Sequence, residues 1–283
     1  MQPSTPAMKG KICLVTGANS GIGKMMAAGL AGMGATVVMA CRNIERGEPA
    51  LDEIMAVAGD ADVELLTADL SSMRQVRALA AEFRRRHDRL DILIKNAGLM
   101  TRRRILTEDG MEMQFAVNNL APFLMTNLLL DIVKASGAAR VINVTSGIHS
   151  RGRIDFDDLQ MAQRYGFVRA YGRSKLANVL FTYELAGRLA HTGVAVNCFT
   201  PGMTKTALGR YMSRPTNWMF RRMGRRVEEG ADTGIWLASS REVEGVTGKY
   251  FFNRKAIESS KLSYDAELAE RLWKVSAKLT GLE

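Results

Sequence analysis

The chain has 283 residues, of which 47% are hydrophobic and 24% charged, and its formal net charge at pH 7 is +10. This length suits one large α/β domain or two small domains, and the composition is that of a folded globular protein, which excludes a disordered chain. Twenty-six glycines against six prolines suit tight turns between strands and helices.

The same composition limits the environment and the partners of the protein. The longest apolar stretch, APFLMTNLLLDIV, is interrupted by three polar residues and is too short to cross a bilayer, and the first residues contain no apolar leader. Cys13, Cys41 and Cys198 lie far apart, so we expect reduced thiols in a cytoplasmic protein, without a disulfide framework or a metal site. The arginine runs are scattered and accompany no nucleic-acid motif. We therefore expect solvated basic faces, compatible with an anionic cofactor, and no nucleic-acid partner.

Apolar segments alternate with helical patterns along the chain. Seven segments predict strands: KICLVT, ATVVMA, VELLTADL, LDILIKNAG, ARVINVTS, GVAVNCF and GKYFF. Helices are predicted at about 21–33, through the fifties, from SSMRQVRALAAEFRRR, at about 108–136, and through the segment that ends near residue 190. Alternation of this kind requires crossover connections and a parallel sheet. The prediction is an α/β fold, with residues 1–283 forming a single Rossmann-type domain, doubly wound, with about seven parallel strands and helices on both faces.

A glycine-rich loop, VTGANSGIGK, lies where the first predicted strand meets the first helix. Gly17, Gly21 and Gly23 give the spacing G-x-x-x-G-x-G, and the absence of Cβ lets the backbone turn tightly and approach a pyrophosphate. The helix that follows presents unpaired N–H groups and its positive dipole end to that anion. Glycines also suit any tight turn, but this position between a strand and a helix predicts a dinucleotide-binding loop.

The end of the second strand indicates which dinucleotide is bound. Enzymes that use NAD usually place Asp or Glu there to hold the ribose 2′-hydroxyl. This chain reads ACRN, with Cys41 in that place and Arg42 after it. No carboxylate is present here to repel a 2′-phosphate, and a guanidinium is available to bind it. The sequence therefore predicts NADP(H). An ordinary surface arginine is the alternative interpretation of Arg42.

A tyrosine and a lysine share one face of a later predicted helix. The segment AYGRSK, residues 170–175, places Tyr171 one turn before Lys175, and residues four apart are neighbours on a helix. Such a pair is common on solvated helices and does not by itself indicate chemistry. In a chain that also has a dinucleotide loop, it becomes a candidate for proton transfer.

Several separated motifs, in one order, make the chain resemble a short-chain dehydrogenase/reductase over nearly its full length, and the retinol dehydrogenase branch in particular. The motifs are ACRN, AYGRSKLANVLF, PGM and the terminal RLWKVSAKLTGL. The resemblance implies an oxidoreductase that transfers a hydride between NADP(H) and an apolar aldehyde, ketone or alcohol. A catalytically silent, NADP-sensing protein of the same fold is the alternative. Protochlorophyllide reductases are also similar, but they carry a cysteine where this chain has Ala177.

The resemblance implies a role for each of four catalytic residues. Tyr171 is the proton donor and acceptor, and the ammonium of Lys175 lowers the pKa of the phenol and binds the nicotinamide ribose. Ser146 hydrogen-bonds the substrate oxygen. Asn118 positions a water beside the lysine, whereas its neighbour Asn119 stands where relatives often have His.

The resemblance also implies a set of cofactor contacts along the predicted sheet edge. Besides the loop and Arg42, these are an adenine-side contact after the third strand, the NAG segment after the fourth, and the PGMTKT loop after the sixth. The residues are Gly17, Asn19, Ser20, Gly21, Ile22, Gly23, Arg42, Asp69, Leu70, Asn96, Ala97, Gly98, Tyr171, Lys175, Pro201, Gly202, Thr204 and Thr206.

Two regions leave alternatives open. Lys95 replaces the first asparagine of the usual NNAG, so its side chain must reach solvent or find a partner. The segment 203–226 follows the sixth strand and is predicted to cover the substrate. It is interpreted as a lid, as a hairpin packed on the sheet, or as a peripheral membrane contact. A homodimer is the working expectation for the assembly.

Overall fold

The computed structural model describes residues 7–205, 222 and 224–282. In this part of the chain, eight strands form one sheet in the order β3-β2-β1-β4-β5-β6-β7-β8. The strands are β1 (Ile12–Thr16), β2 (Thr36–Cys41), β3 (Val63–Thr67), β4 (Ile92–Lys95), β5 (Arg140–Val144), β6 (Ala195–Phe199), β7 (Lys249–Phe252) and β8 (Lys255–Ile257). The first seven are parallel, as predicted, and β8 adds an antiparallel edge.

Helices connect these strands. They are α1 (Gly21–Gly32), α2 (Ile44–Ala58), α3 (Met73–Arg86), α4 (Met113–Phe115), α5 (Ala121–Leu128), α6 (Leu130–Ala135), α7 (Phe167–Arg188), α8 (Val227–Ser239) and α9 (Ala266–Thr280). A π-helical turn, Ala116–Leu120, separates α4 from α5.

The two faces of the sheet support separate apolar cores. Along β1, Cys13 and Val15 belong to one core and Leu14 to the other, because successive strand residues point to opposite faces. The first core contains Met26 of α1, and the second contains Leu180 of α7. Helices α1, α2 and α8 contribute to the first core, and α3, the 113–135 segment, α7 and α9 to the second. The Rossmann-type, doubly wound α/β fold is therefore confirmed.

The strand order reverses between β1 and β4. Strands β2 and β3 lie on one side of β1, whereas the chain returns to the other side with β4, β5 and β6. Open α/β sheets bind ligands at such a point, beyond the carboxyl ends of the strands. All residues predicted to bind the cofactor before Tyr171 follow the carboxyl ends of these strands.

The long helix predicted at 108–136 is wrong in its start and its continuity. It begins at Met113, because the Glu112 carboxylate accepts hydrogen bonds from the backbone N–H groups of Gln114 and Phe115 and so caps it. Its next turn is π-helical, and Pro122 has no N–H with which to bond the carbonyl of Asn118. π-helical turns are frequent at functional sites, and this one carries the predicted Asn118.

Candidate active site

A cleft with a volume of about 1620 Å³ runs along the carboxyl ends of the strands. Every predicted site residue that the structure describes lines it, except Asn118. Thr206 lies outside the described residues, as do positions 206–221 and 223 of the segment predicted to cover the substrate. By the roles that the sequence predicts for their residues, the parts of the cleft are a candidate phosphate end, a candidate adenosine end, a candidate catalytic centre and an apolar end.

The phosphate end is the loop between β1 and α1. Gly17 and Gly21 have φ of +66° and +56°, a conformation that glycine adopts freely. The side-chain amide of Asn96 donates hydrogen bonds to the carbonyl oxygens of Thr16, at 2.9 Å, and Gly17, at 3.3 Å, and a Cβ on Gly23 would collide with that amide. The loop is thus held in its turned shape by close contact with the end of β4.

No described side chain caps the first turn of α1, so the N–H groups of that turn have no side-chain acceptor. Ser20 occupies the N-cap position, but its side chain makes no capping hydrogen bond, and the first turn contains no acidic residue. Its donors and the positive end of its dipole therefore remain available for an anion in the cleft.

The adenosine end is basic. Cys41 is buried at the end of β2 and donates a hydrogen bond from Sγ to the carbonyl oxygen of Asn43, at 3.3 Å. Arg42 is exposed beside it, and the Asn43 side chain caps α2 by accepting the N–H of Arg46, at 3.0 Å. Arg46 also lines the cleft. The sequence analysis missed Arg46, although its place in the first turn of a helix that starts beside Arg42 was a usable signal.

The candidate catalytic centre brings together three of the four residues that are predicted to be catalytic. Tyr171 and Lys175 project from α7, and Ser146 ends the loop after β5. Lys175 Nζ lies 5.6 Å from the centroid of the Tyr171 ring and donates a hydrogen bond to the carbonyl oxygen of Val144, at 3.0 Å. The Thr145 hydroxyl in turn donates to the Lys175 carbonyl oxygen, at 3.1 Å. These bonds fix α7 against the end of β5.

Burial determines the protonation of this centre. It raises the pKa of the Tyr171 phenol above its usual value, and a hydrogen bond with Ser146 opposes that change. It lowers the pKa of Lys175 to about 8. Burial thus acts against the lowering of the phenol pKa that is expected from the ammonium.

Asn118 lies behind the cleft and not on its lining. Its Oδ1 accepts the N–H of Leu99, at 2.8 Å, and its Nδ2 donates to the Leu99 carbonyl and to Ser174 Oγ, each at 3.0 Å. A Cβ on Gly98 would approach both Asn118 Oδ1 and Lys175 Nζ to 3.4 Å. In this arrangement, Asn118 positions the segment that passes beside the lysine. Asn119 points elsewhere, toward the side chain of Asn178.

The apolar end is the part of the site that the sequence analysis missed most completely. Phe167 and Val168 lie four and three residues before Tyr171, so they share its helix face, and a search at this spacing would have found them. Other apolar and aromatic residues that line the cleft are Ile148, Met203, Tyr250, Phe252 and Ile257. Val168, Met203 and Ile257 are 42%, 47% and 44% exposed, which leaves apolar surface open in the cleft.

Lys95 is buried, so its side chain does not reach solvent and must find a partner inside the protein. Its Nζ donates to Thr126 Oγ1, at 2.8 Å, and lies 3.9 Å from the centroid of the Phe181 ring. Burial lowers its pKa well below the ordinary value. The Lys95 amine thus contacts a hydroxyl and an aromatic ring, and it pairs with no carboxylate of the described residues.

Comparisons with known proteins identify the family. The family model for short chain dehydrogenase matches residues 11–217. The chain belongs to the short-chain dehydrogenase/reductase family. Human retinol dehydrogenase 14 is 42% identical over 297 residues, covering 97% of this chain and 88% of the relative, and human retinol dehydrogenase 13 is 43% identical, covering 99% and 88%.

Solved structures show the same fold. An uncharacterised protein from Mycobacterium paratuberculosis has a TM-score of 0.80 at 33% identity, covering 98% of this chain and 96% of its own. The complex of Pseudomonas aeruginosa RhlG with NADP has a TM-score of 0.72 at 28% identity, covering 88% and 97%. Among the described residues, no helix of this dehydrogenase is both long and apolar enough to span a bilayer.

Proposed function

We propose that this short-chain dehydrogenase reduces an apolar aldehyde or ketone with NADPH, and catalyses the reverse reaction on the alcohol. The observation that carries the proposal is the placement of Tyr171, Ser146 and Lys175 at one point of a cleft whose two ends differ. A basic end and an open helix N-terminus suit a phosphorylated dinucleotide, and an apolar end suits the carbonyl compound. The relatives named retinol dehydrogenase favour an alcohol or carbonyl substrate.

The residues present fit NADP(H). The first-turn N–H groups of α1 would hold the pyrophosphate, and Arg42 with Arg46 would bind the 2′-phosphate, since no carboxylate occupies the end of β2. A complex with NADP among the similar structures supports the same choice. Bound NADPH would supply the hydride for the carbonyl carbon. Lys175 would bind the nicotinamide ribose through its ammonium, which the Val144 carbonyl holds in place.

The protein's own residues handle the proton. As negative charge develops on the substrate oxygen, Tyr171 donates its phenolic proton to that oxygen, and Ser146 Oγ donates a second hydrogen bond to it. The phenolate then recovers a proton from solvent. Burial raises the pKa of Tyr171, so the phenol is protonated at neutral pH and can act as the acid in the reductive direction. The backbone carbonyl of Asn118 cannot bond Pro122, which has no N–H, and we propose it as the acceptor that holds a water in that recovery path.

The apolar surface beside Tyr171 supports an apolar substrate. Ile148 and Phe167 flank the tyrosine, and open apolar area inside a cleft marks a binding site more clearly than isolated exposed side chains do. A substrate that covers these side chains gains hydrophobic free energy of about 25 cal/mol for each Å² removed from water.

The test is a steady-state assay of NADPH oxidation against apolar and polar carbonyl compounds, with NADH in parallel and NADPH affinity measured by fluorescence. We expect turnover of apolar aldehydes or ketones with NADPH, and none in Tyr171→Phe. If wild type binds NADPH but reduces no carbonyl compound, and Tyr171→Phe binds it equally well, the protein is instead a catalytically silent NADP-binding protein.

A further inference from the structure

One exposed arginine, Arg151, lines the cleft on the short helix that directly follows Ser146. Ser146 is followed by a 3₁₀-helix, Gly147–Arg151, whose residues Ile148 and Arg151 both line the cleft. Residues three apart eclipse each other in a 3₁₀-helix, so Ile148 and Arg151 lie in one row leading away from Ser146. With a rise of about 2 Å per residue, the row places Arg151 roughly 10 Å from Ser146.

The backbone that carries Arg151 is held at both ends. The His149 ring is buried and bonds the carbonyl oxygen of Ser146 through Nδ1, at 2.9 Å, and the N–H of Ser260 through Nε2, at 3.0 Å. Because Nε2 accepts an N–H, Nδ1 carries the proton and donates. After Arg151, Gly152 packs so closely on α7 that a Cβ would lie 2.5 Å from the Gly172 carbonyl oxygen. The arginine is therefore presented from a fixed support.

The charge of Arg151 is not compensated within the part of the chain that the structure describes. Its side chain is exposed and has no hydrogen bond or ion pair there. Two described carboxylates line the cleft: Glu228 is paired with Arg226 at 3.4 Å, and Asp69 accepts the N–H of Ser71 at 2.9 Å, whereas Lys205 adds positive charge. A guanidinium on an apolar wall, with no carboxylate to neutralise it, favours a ligand that supplies one.

We propose that the substrate is an apolar carbonyl compound that also bears a carboxylate, and that Arg151 binds this carboxylate. The inference rests on the proposed reductase function and adds the substrate class. Ser146 and Tyr171 hold the carbonyl oxygen, Ile148 and Phe167 contact an apolar spacer, and Arg151 forms a charge-assisted pair at its far end. An oxo acid with a spacer on the order of 10 Å between the two groups matches the row of side chains.

The test compares ω-oxo fatty acids of increasing length with their methyl esters, which have the same reacting carbonyl but no charge. Wild type should have a lower KM for the acid than for its ester at the best length. Arg151→Gln should raise KM for the acid about tenfold, the loss expected for one exposed charge-assisted contact, and leave KM for the ester and both kcat values unchanged. Arg151→Lys should retain part of the preference. Arg85→Gln, which removes the same charge from an exposed site on α3 outside the cleft, should change neither KM.

The outcomes separate this inference from the proposed function. Equal effects of Arg151→Gln on acid and ester, no effect on either, or a wild-type preference for the ester would overturn the role of Arg151 while reduction itself stands. That role is likewise overturned if wild type reduces other apolar carbonyl compounds but neither member of any pair. If wild type reduces no carbonyl compound at all, the proposed function fails first. Added salt supplies an independent check, because it should raise KM for the acid alone.

Discussion

Lys175 Nζ donates a hydrogen bond to the carbonyl oxygen of Val144, at 3.0 Å, across the boundary between α7 and the end of β5. Both partners are buried, so the ammonium is held in one place but has exchanged much of its hydration for a single acceptor. Its pKa is lowered to about 8 for this reason. Lys175 therefore gains or loses its proton near physiological pH, and an anionic cofactor would favour its charged form.

Lys175 should make NADPH affinity depend on pH. Below about 8, the free protein already carries the ammonium, whereas above that value binding must also take up a proton. The dissociation constant should therefore rise with pH above about 8, by at most about tenfold per pH unit. Fluorescence titrations of NADPH across this range would measure it. In Lys175→Met, affinity should be lower and this rise absent; the same rise in the variant would assign the titration to another group.

Tyr171→Phe should abolish turnover and leave NADPH affinity within a few-fold of wild type. The phenol is the proton donor at the carbonyl oxygen, and proton transfer by a positioned side chain is worth about 10²–10⁴-fold in rate. Single-turnover NADPH oxidation would separate the loss of chemistry from changes in binding. Retention of more than about a tenth of wild-type activity would remove Tyr171 from the mechanism. Tyr183→Phe is the matched control, because this tyrosine is also on α7 but bonds Ser259 outside the cleft.

The fold could be predicted from the sequence where each signal is local. Buried parallel strands appear as short apolar runs, and the glycine loop lies between one such run and a helix. Strand β8 could not be found in this way. Its residues Lys255–Ile257 are exposed, and the turn before it uses Asn253 and Arg254 at φ of +48° and +59°. Positive φ is common for Asn but unusual for Arg. Only one residue of this pair is therefore typical of a tight hairpin turn, and the sequence does not predict the hairpin.

The site could be predicted where a motif fixes both residue and place, as it does for Tyr171 and Ser146. The neighbourhood of Lys95 could not, because its partners Thr126 and Phe181 come from distant helices that meet only in the folded chain. Arg151 was missed for a related reason. Its importance depends on a 3₁₀-helix that aligns it with Ile148, and five residues contain too little periodicity to show one.

Arg42 and Arg46 should distinguish NADPH from NADH. Arg42→Ala should weaken NADPH about ten- to a hundredfold, the range for losing a charge-assisted hydrogen bond, and NADH much less. Arg46→Ala should act in the same direction but less strongly, because it projects from α2 one turn further from β2. Parallel titrations with both cofactors would measure the two losses. Equal losses for NADPH and NADH would show that neither guanidinium binds the 2′-phosphate.

Replacement of Lys95 should alter the pH dependence of stability. The pKa of Lys95 in the folded protein is well below its ordinary value of 10.5, so the unfolded chain binds more protons as pH falls below 10.5. The contribution of Lys95 to the free energy of unfolding is therefore complete above that pH and is lost progressively as pH decreases toward its folded-state pKa, by at most about 1.4 kcal/mol per pH unit. Lys175 acts in the same direction above about 8, so only a comparison between variants isolates Lys95.

Lys95→Met keeps most of the buried volume and removes the amine. It should raise the free energy of unfolding at neutral pH and flatten its increase toward alkaline pH, because the variant no longer has to expel a proton from this position on folding. The lost bond to Thr126 costs about 1 kcal/mol and, since it is independent of pH, lowers the whole curve without changing its slope. Denaturant titrations of Lys95→Met and of Lys134→Met, an exposed lysine on α6, would measure both effects. Wild type and Lys95→Met curves that stay parallel from neutral to alkaline pH would mean that the buried amine keeps its proton, held by Thr126 and by the face of Phe181.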